Sequence, residues 1–459
     1  MVLVKLRAPL RDLAGGQSEL RIEGATLGEV IDGLERTYPK LVGWVRDEQG
    51  EVRQHVNIFL NGDKATLDAV VSSGDRVHVL PSISGGAVQT EVKPQTSTWS
   101  EDGELSELLV GTRKGLFVLQ GARGGPMSEV ARKFSGNDVE FAIKDARTGT
   151  YFASVTHGQY GPRIYHTQDP SGEWEQCEGP AFPEDAEAAV SRIWAVRPGE
   201  EDGVLWAGVA PAALFKSEDG GMSWSLNRAL WDDPSRPNWQ PGAGGLCLHS
   251  ICTWPGEPSR MAIGISAAGV WLSDDGGESW RRGNKGLVGR YLPEDAREGA
   301  TDLCVHNMHR APLQPDRIYM QFHGGVYRSD DAGESWLDIG SEGGLPSDFG
   351  FPLVTDPGDP NRAFVIPLKG DFDRVTPDAA VRVYETRDLG ATWNALGDGL
   401  PDNAYLTVLR QAFCHDGGRP IGLYFGATSG EVFGSADGGA TWTTVAEHLP
   451  PVLAVRSSS

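Results

Sequence analysis

Eight cationic or imidazole side chains stand at matching places in a repeated sequence: Arg113, Lys114, His157, Arg192, His249, His306, His323 and Lys369. With the repeats aligned, Cys247-Leu-His249 falls on Cys304-Val-His306, each at the start of an innermost strand, and Arg192 with Trp194 takes that slot one repeat earlier. Arg113-Lys114, His157, His323, and Lys369 with Arg374 fall in the turns between second and third strands. In a radial array of sheets, these turns and inner-strand starts share one rim of the central channel. Guanidinium and ammonium groups gathered there suit a carboxylate or another small anion. The imidazoles of His249, His306, His309 and His323 would instead suit zinc, copper, iron or nickel. Nothing like HExxH supports that second chemistry, and no metal is assigned. Ordinary hydrogen-bonded channel lining accounts for the same residues equally well. Cys247 and Cys304, each two residues from a histidine on one strand face, could accept sulfur only with a depressed thiol pKa; core packing is their plainer role. Glycoside cleavage needs two carboxylates flanking a cleft, but 63 acidic residues single out no pair, so catalytic residues stay unassigned.

The elements that would position these groups are set by one recurring phrase. It reads Ser217-Glu-Asp219-Gly-Gly221-Met-Ser223-Trp224 and returns around Asp275, Asp331, Asp388 and Asp437, with a worn copy at Asp169. The steps between successive Asp positions are 50, 56, 56, 57 and 49, a period that means one supersecondary unit arrayed repeatedly. An Asp before Gly is expected to bond backbone N–H groups two residues on, while Gly supplies a positive φ. The Trp is expected to fill the seam between neighbouring sheets, its indole N–H reaching a polar edge. The phrase resembles the Asp-box (BNR repeat) of sialidases, xyloglucanases and sortilin-type receptors. The resemblance makes Asp219, Asp275, Asp331, Asp388 and Asp437 structural corners away from any catalytic centre. Seven second-strand starts, at Leu108, Tyr151, Leu205, Met261, Ile318, Ala363 and Leu423, predict seven four-stranded blades over residues 107–459. This region is thus similar to sialidase-like, WD40/YVTN/BNR-like β-propellers. Catalytic sialidases have six blades, and their early Arg-Ile-Pro phrase survives only as Arg163-Ile164-Tyr165.

Composition sets outer limits. Lys plus Arg is 41 and Asp plus Glu is 63, a net charge of −22, which argues against nucleic acid or an anionic membrane surface as the bulk partner. Five scattered cysteines make no disulfide framework. No run of 18 apolar residues and no apolar leader region occur, so a cytoplasmic location is expected.

Residues 1–86 read as a separate α+β domain. Val2–Leu6 alternates as a strand, and Leu20–Ile22 returns beside it. Thr26 and Glu29 form a capping box ahead of Leu27, Val30, Ile31 and Leu34, one apolar helix face. Val56–Leu60 and Arg76–Leu80 close the sheet, and the chain runs out through Pro81 to Gly85-Gly86. Residues 87–106 lack apolar periodicity and read as a flexible linker. The order of elements and the bare diglycine resemble the MoaD/ThiS group of β-grasp, ubiquitin-like sulfur carriers. Only Gly lacks a side chain that would block the narrow channel of an activating enzyme. The resemblance implies that a separate E1-like enzyme adenylates the last Gly with ATP, for conversion to a thiocarboxylate or an amide. The departure is that Ala87 follows Gly86, so release needs a protease. No bound cofactor is assigned. The fold expected is therefore an α+β β-grasp domain followed by an all-β seven-bladed propeller. The function expected is carriage or conjugation through Gly85 and Gly86, with the propeller as partner-binding scaffold or pathway component. The alternative is a hydrolase or lyase in the propeller channel, with the β-grasp domain as docking module.

Overall fold

The computed structural model describes every residue except 55, 82–104, 243, 298–299, 301, 341 and 459, and omits the side chains of Pro81 and Ala296. Contacts divide the chain into two units: Met1–Glu91 with Thr156–Pro162 and Ala181–Val190, and the remainder.

In the first unit, strand Val2–Leu6 pairs antiparallel with Glu19–Ile22 and parallel with Arg76–Pro81. Arg76–Pro81 pairs in turn with Val56–Leu60, which carries a short edge strand, Asp63–Lys64. Helix Leu27–Thr37 is capped as expected: Thr26 accepts from the Glu29 N–H, while the Glu29 carboxylate reaches back to the Ala25 N–H at 2.6 Å. Its apolar face, Leu27, Val30, Ile31 and Leu34, is fully buried against Val2, Val4, Leu20, Val77 and Val79. Such side chains each contribute roughly 1.5–3 kcal/mol on burial. A short helix at Leu10–Leu13 and the edge strand are additions that periodicity did not signal.

The second unit is all β. Five separate four-stranded sheets and one eight-stranded sheet make seven groups of four. The innermost strands are Asp138–Lys144, Arg192–Pro198, Cys247–Trp254, Val305–Arg310, Gly350–Asp356, Val408–His415 and Val452–Ser457. Each contacts the next, and the last contacts the first, so the ring of blades closes. Closure uses the end of the chain: Val452–Ser457 supplies the inner strand of the blade begun by Leu105–Thr112, with Val455 opposite Val110. That first strand starts at Leu105, inside the stretch read from sequence as linker up to 106. The eight-stranded sheet arises because one parallel bridge, Gln411 to Ala454, joins the closing blade to its neighbour.

The repeated phrase is the corner between third and fourth strands. Each Asp accepts the N–H of the residue four places on, as in Ser223 to Asp219 at 3.0 Å and Ser335 to Asp331 at 2.9 Å. The reach is four residues rather than two, and the hydroxyl two before the Asp accepts the N–H of Gly221, Gly277, Gly333, Gly390 or Gly439 inside the turn. The worn copy keeps the shorter reach, with the Ser171 N–H on Asp169 at 2.9 Å. Trp336 and Trp393 are buried and donate their indole N–H to Gly283 and Ile339 of the preceding blade, each at 2.8 Å. Among the described residues, no helix is long and apolar enough to cross a membrane.

Candidate functional site

The inner strands start on one side of the ring, and their first residues build a contiguous cluster. Glu140, 6% exposed, stands 3.1 Å from Arg192 Nε, without the alignment of a hydrogen bond. Arg192 lies over the Trp194 ring at 5.1 Å, and Arg410 approaches that ring at 5.2 Å. Arg410 donates through Nε to the His306 carbonyl and through Nη2 to Ser266 Oγ at 3.4 Å. It also faces Phe351, as does Arg374 at 5.3 Å. His306 stacks on Phe351 at 4.7 Å and meets His323 edge-on at 5.2 Å. His323 in turn stands against Tyr291 and Phe349.

Of the residues singled out by sequence, Arg192, His249, His306 and His323 fall in or directly beside this cluster. His249 is wholly engaged: Nδ1 with Ser250 Oγ at 2.9 Å, and Nε2 with Ser266 Oγ and the Val305 carbonyl, both at 3.0 Å. Arg113 sits at the edge, exposed and paired with Asp138 at 3.2 Å. The main-chain N–H of Lys114 bonds Thr112 Oγ1, and among the described residues no hydrogen bond or ion pair joins its side chain to the cluster. Lys369 is exposed and pairs with Asp373 at 3.0 Å. His157 groups by contact with the first unit and is no part of the cluster. His309 lies at the far end of its strand, where its charge interactions are with Arg197, Arg456 and His415. The structural Asp residues lie at the outer corners, away from the channel. All five cysteines are free thiols, and burial pushes those of Cys247 and Cys304 up, opposite to what sulfur transfer at either would need.

The electrostatics follow from burial among cations. Burial pushes the Glu140 carboxyl up against the pull of Arg192. Burial first, then Arg410, hold His249 and His306 well below the usual imidazole range, and burial lowers His323 against the opposing pull of Asp371. The imidazoles are therefore neutral, and the positive charge of the mouth belongs to Arg192, Arg374 and Arg410. Sequence reading missed Arg410, yet Val408-Leu-Arg410 repeats the slot of Cys247-Leu-His249 and Cys304-Val-His306. Extending the alignment by two blades finds it. Tyr291 and Phe349 come from loops with no period to betray them.

Residues 4–86 match the model of the ThiS family. Small archaeal modifier protein 1 of Haloferax volcanii is 34% identical over 84 residues, 18% of this chain and 97% of the relative. The chain belongs, through this domain, to the ThiS family. Sulfur carrier protein CysO of Mycobacterium tuberculosis is 33% identical over 91 residues, 18% of this chain and 98% of the relative. The propeller is similar to a xyloglucanase of Hypocrea jecorina, 27% identical over 217 residues, 44% of this chain. The chain spans only 25% of that enzyme. The match to the ThiS family runs up to Gly86; Gly85 and Gly86 themselves lie outside the described residues.

Proposed function

We propose that this protein is a ubiquitin-like sulfur carrier or conjugating protein whose working group is the carboxylate of Gly86, freed by cutting the Gly86–Ala87 bond. The observation that supports this reading is the family match, which covers residues 4–86 and ends with the diglycine. An E1-like enzyme would join the Gly86 carboxylate to AMP, releasing pyrophosphate from ATP. A sulfur donor or an amine would then displace AMP, leaving a thiocarboxylate or an amide. The propeller would hold a partner or a small anionic ligand at its cationic mouth. Intact-mass analysis of protein from its native cell tests the proposal. A fragment ending at Gly86, with or without one oxygen replaced by sulfur, and a second fragment beginning at Ala87 are expected. A single uncut species in cells that contain the activating enzyme overturns it.

A second reading, hydrolysis of a glycan in the channel, draws on the similarity to xyloglucanase and on Glu140, a buried carboxyl held toward its protonated form beside the mouth. Full-length protein should then release reducing ends from xyloglucan oligosaccharides, and Glu140→Gln should stop it. No release from the unaltered protein removes this reading.

A further inference from the structure

Three side chains in the cluster present metal-binding atoms to one point. One donor atom each from Cys304, His306 and His323 lie within 4.8 Å of one another. All three belong to one blade. Cys304 and His306 alternate onto one face at the start of the inner strand. His323 follows the paired strand Ile318–Phe322, and its backbone N–H donates to the Cys304 carbonyl at 3.0 Å. Residues held on paired strands keep their spacing better than residues on loops.

The surroundings fix the rings. His306 Nδ1 meets the Gly350 carbonyl at 2.6 Å, which leaves Nε2 as its available nitrogen. A carbonyl on the second ring nitrogen is the usual partner of a metal-ligating histidine. Phe349 and Phe351 brace that ring from two sides. The Asp371 carboxylate lies 3.7 Å from His323 Nε2. Tyr291 Oη accepts the Cys304 N–H at 2.7 Å and donates to the Asp302 carbonyl at 2.6 Å, pinning the backbone that presents the thiol. His249, the neighbouring imidazole, has both nitrogens occupied and is excluded.

We propose that Cys304, His306 and His323 bind a transition-metal ion, Zn2+ by the chemistry of their donors, with a fourth position open to the channel. One thiolate and two imidazoles are a zinc donor set, and three protein ligands leave a position for an exchangeable group. Tetrahedral coordination at zinc bond lengths puts donors about 3.3–3.7 Å apart, so binding needs roughly 1 Å of closure. Side-chain rotations within the trio would have to supply that. Arg374 and Arg410 stand nearby, so the fourth ligand is an anion or a sulfur donor that offsets their charge. The site stands on its own residues and does not depend on release of the diglycine.

Full-length protein, stripped with a chelator and titrated with Co2+, tests it. One equivalent of Co2+ should bring up a thiolate-to-cobalt charge-transfer band, which Zn2+ should abolish by displacement. Cys304→Ser should remove the band, whereas Cys247→Ser should keep it. His323→Ala, at a partly exposed position, should weaken Co2+ binding on the order of 100-fold with unchanged circular dichroism. A protein that shows no such band, or a band that survives Cys304→Ser, overturns the proposal.

Discussion

Arg410 donates from Nε to the main-chain carbonyl of His306, tying together two inner strands that have a third blade between them. Among the described residues no carboxylate forms an ion pair with this guanidinium, and burial pulls its pKa down. A charge desolvated without a counter-ion lowers stability, and such groups persist where function needs them. Arg410→Met should therefore leave the melting temperature within a few degrees of the unaltered protein, or raise it. It should also weaken binding of small carboxylates at least about tenfold, read by Trp fluorescence. A large loss of stability with unchanged anion binding would make Arg410 a structural strut instead.

Closure of the ring rests on Val452–Ser457, in which Val452, Leu453, Ala454 and Val455 are all buried. At roughly 1.5–3 kcal/mol for each large apolar side chain, their loss removes about 5 kcal/mol. It also exposes the edges of Leu105–Thr112 and of Val408–His415, an invitation to aggregation. Deleting residues 450–459 should lower the melting temperature by about 10 °C or abolish soluble protein. An unchanged melting curve would show that the blade closes without this strand.

The blades were legible because each second strand carries an apolar run, and because the corner phrase sets the same hydrogen bonds in its five full copies. All seven second strands contain the runs read from sequence; four start as read, at Tyr151, Leu205, Ile318 and Leu423, whereas the other three start earlier, at Leu105, Glu257 and Asp359 rather than Leu108, Met261 and Ala363. The fourth strands were not legible in length: Ser225–Leu226, Arg281–Arg282 and Leu337–Asp338 are two residues each, too short for any period. In the site, His249 and His306 showed themselves through the repeat, since a shared slot is a positional signal. Glu140 could not, because one acid among 63 has no distinguishing neighbour until burial supplies one. His157 shares its turn position with His323 yet is no part of the cluster, since a turn position fixes a rim but not a direction.

Acid should unfold the propeller in two stages. Burial, aided by nearby guanidiniums, pushes His249, His306 and His309 below the ordinary 6.5; burial lowers His415 against the opposing Asp416 and Asp356, and His323 against Asp371. Above pH 6.5 both folded and unfolded states are neutral at these sites, so stability is fully present. Below it the unfolded chain takes up protons that the folded one refuses, and stability falls as pH drops. The corner carboxylates act later: hydrogen bonds from Ser223 and Ser279 hold Asp219 and Asp275 to about 2, so their contribution is lost only below the ordinary 3.8. Melting temperature by Trp fluorescence should decline from about pH 6.5 downward, then more steeply below about pH 4. A flat profile across the first interval would contradict neutral buried imidazoles.

Two glycines separate backbone conformation from packing between blades. Gly276 holds φ +75° with open space around a Cβ, whereas Gly399 holds φ +88° with a Cβ position only 2.1 Å from the Trp442 carbonyl of the next corner. The Trp442 N–H also donates to the Asp398 carbonyl at 2.8 Å, so the two segments cannot part without losing a hydrogen bond. Gly276→Ala therefore meets only the left-handed penalty of roughly 1–2 kcal/mol. The same slot already tolerates Ala332 at φ +62° and Leu389 at φ +67°. Gly399→Ala adds a clash of about 1–3 kcal/mol to that penalty and should cost roughly 2–5 kcal/mol in total. Urea unfolding of both variants gives the comparison. Equal midpoints would mean that the seam relaxes freely and that the corner Trp does not hold neighbouring blades in register.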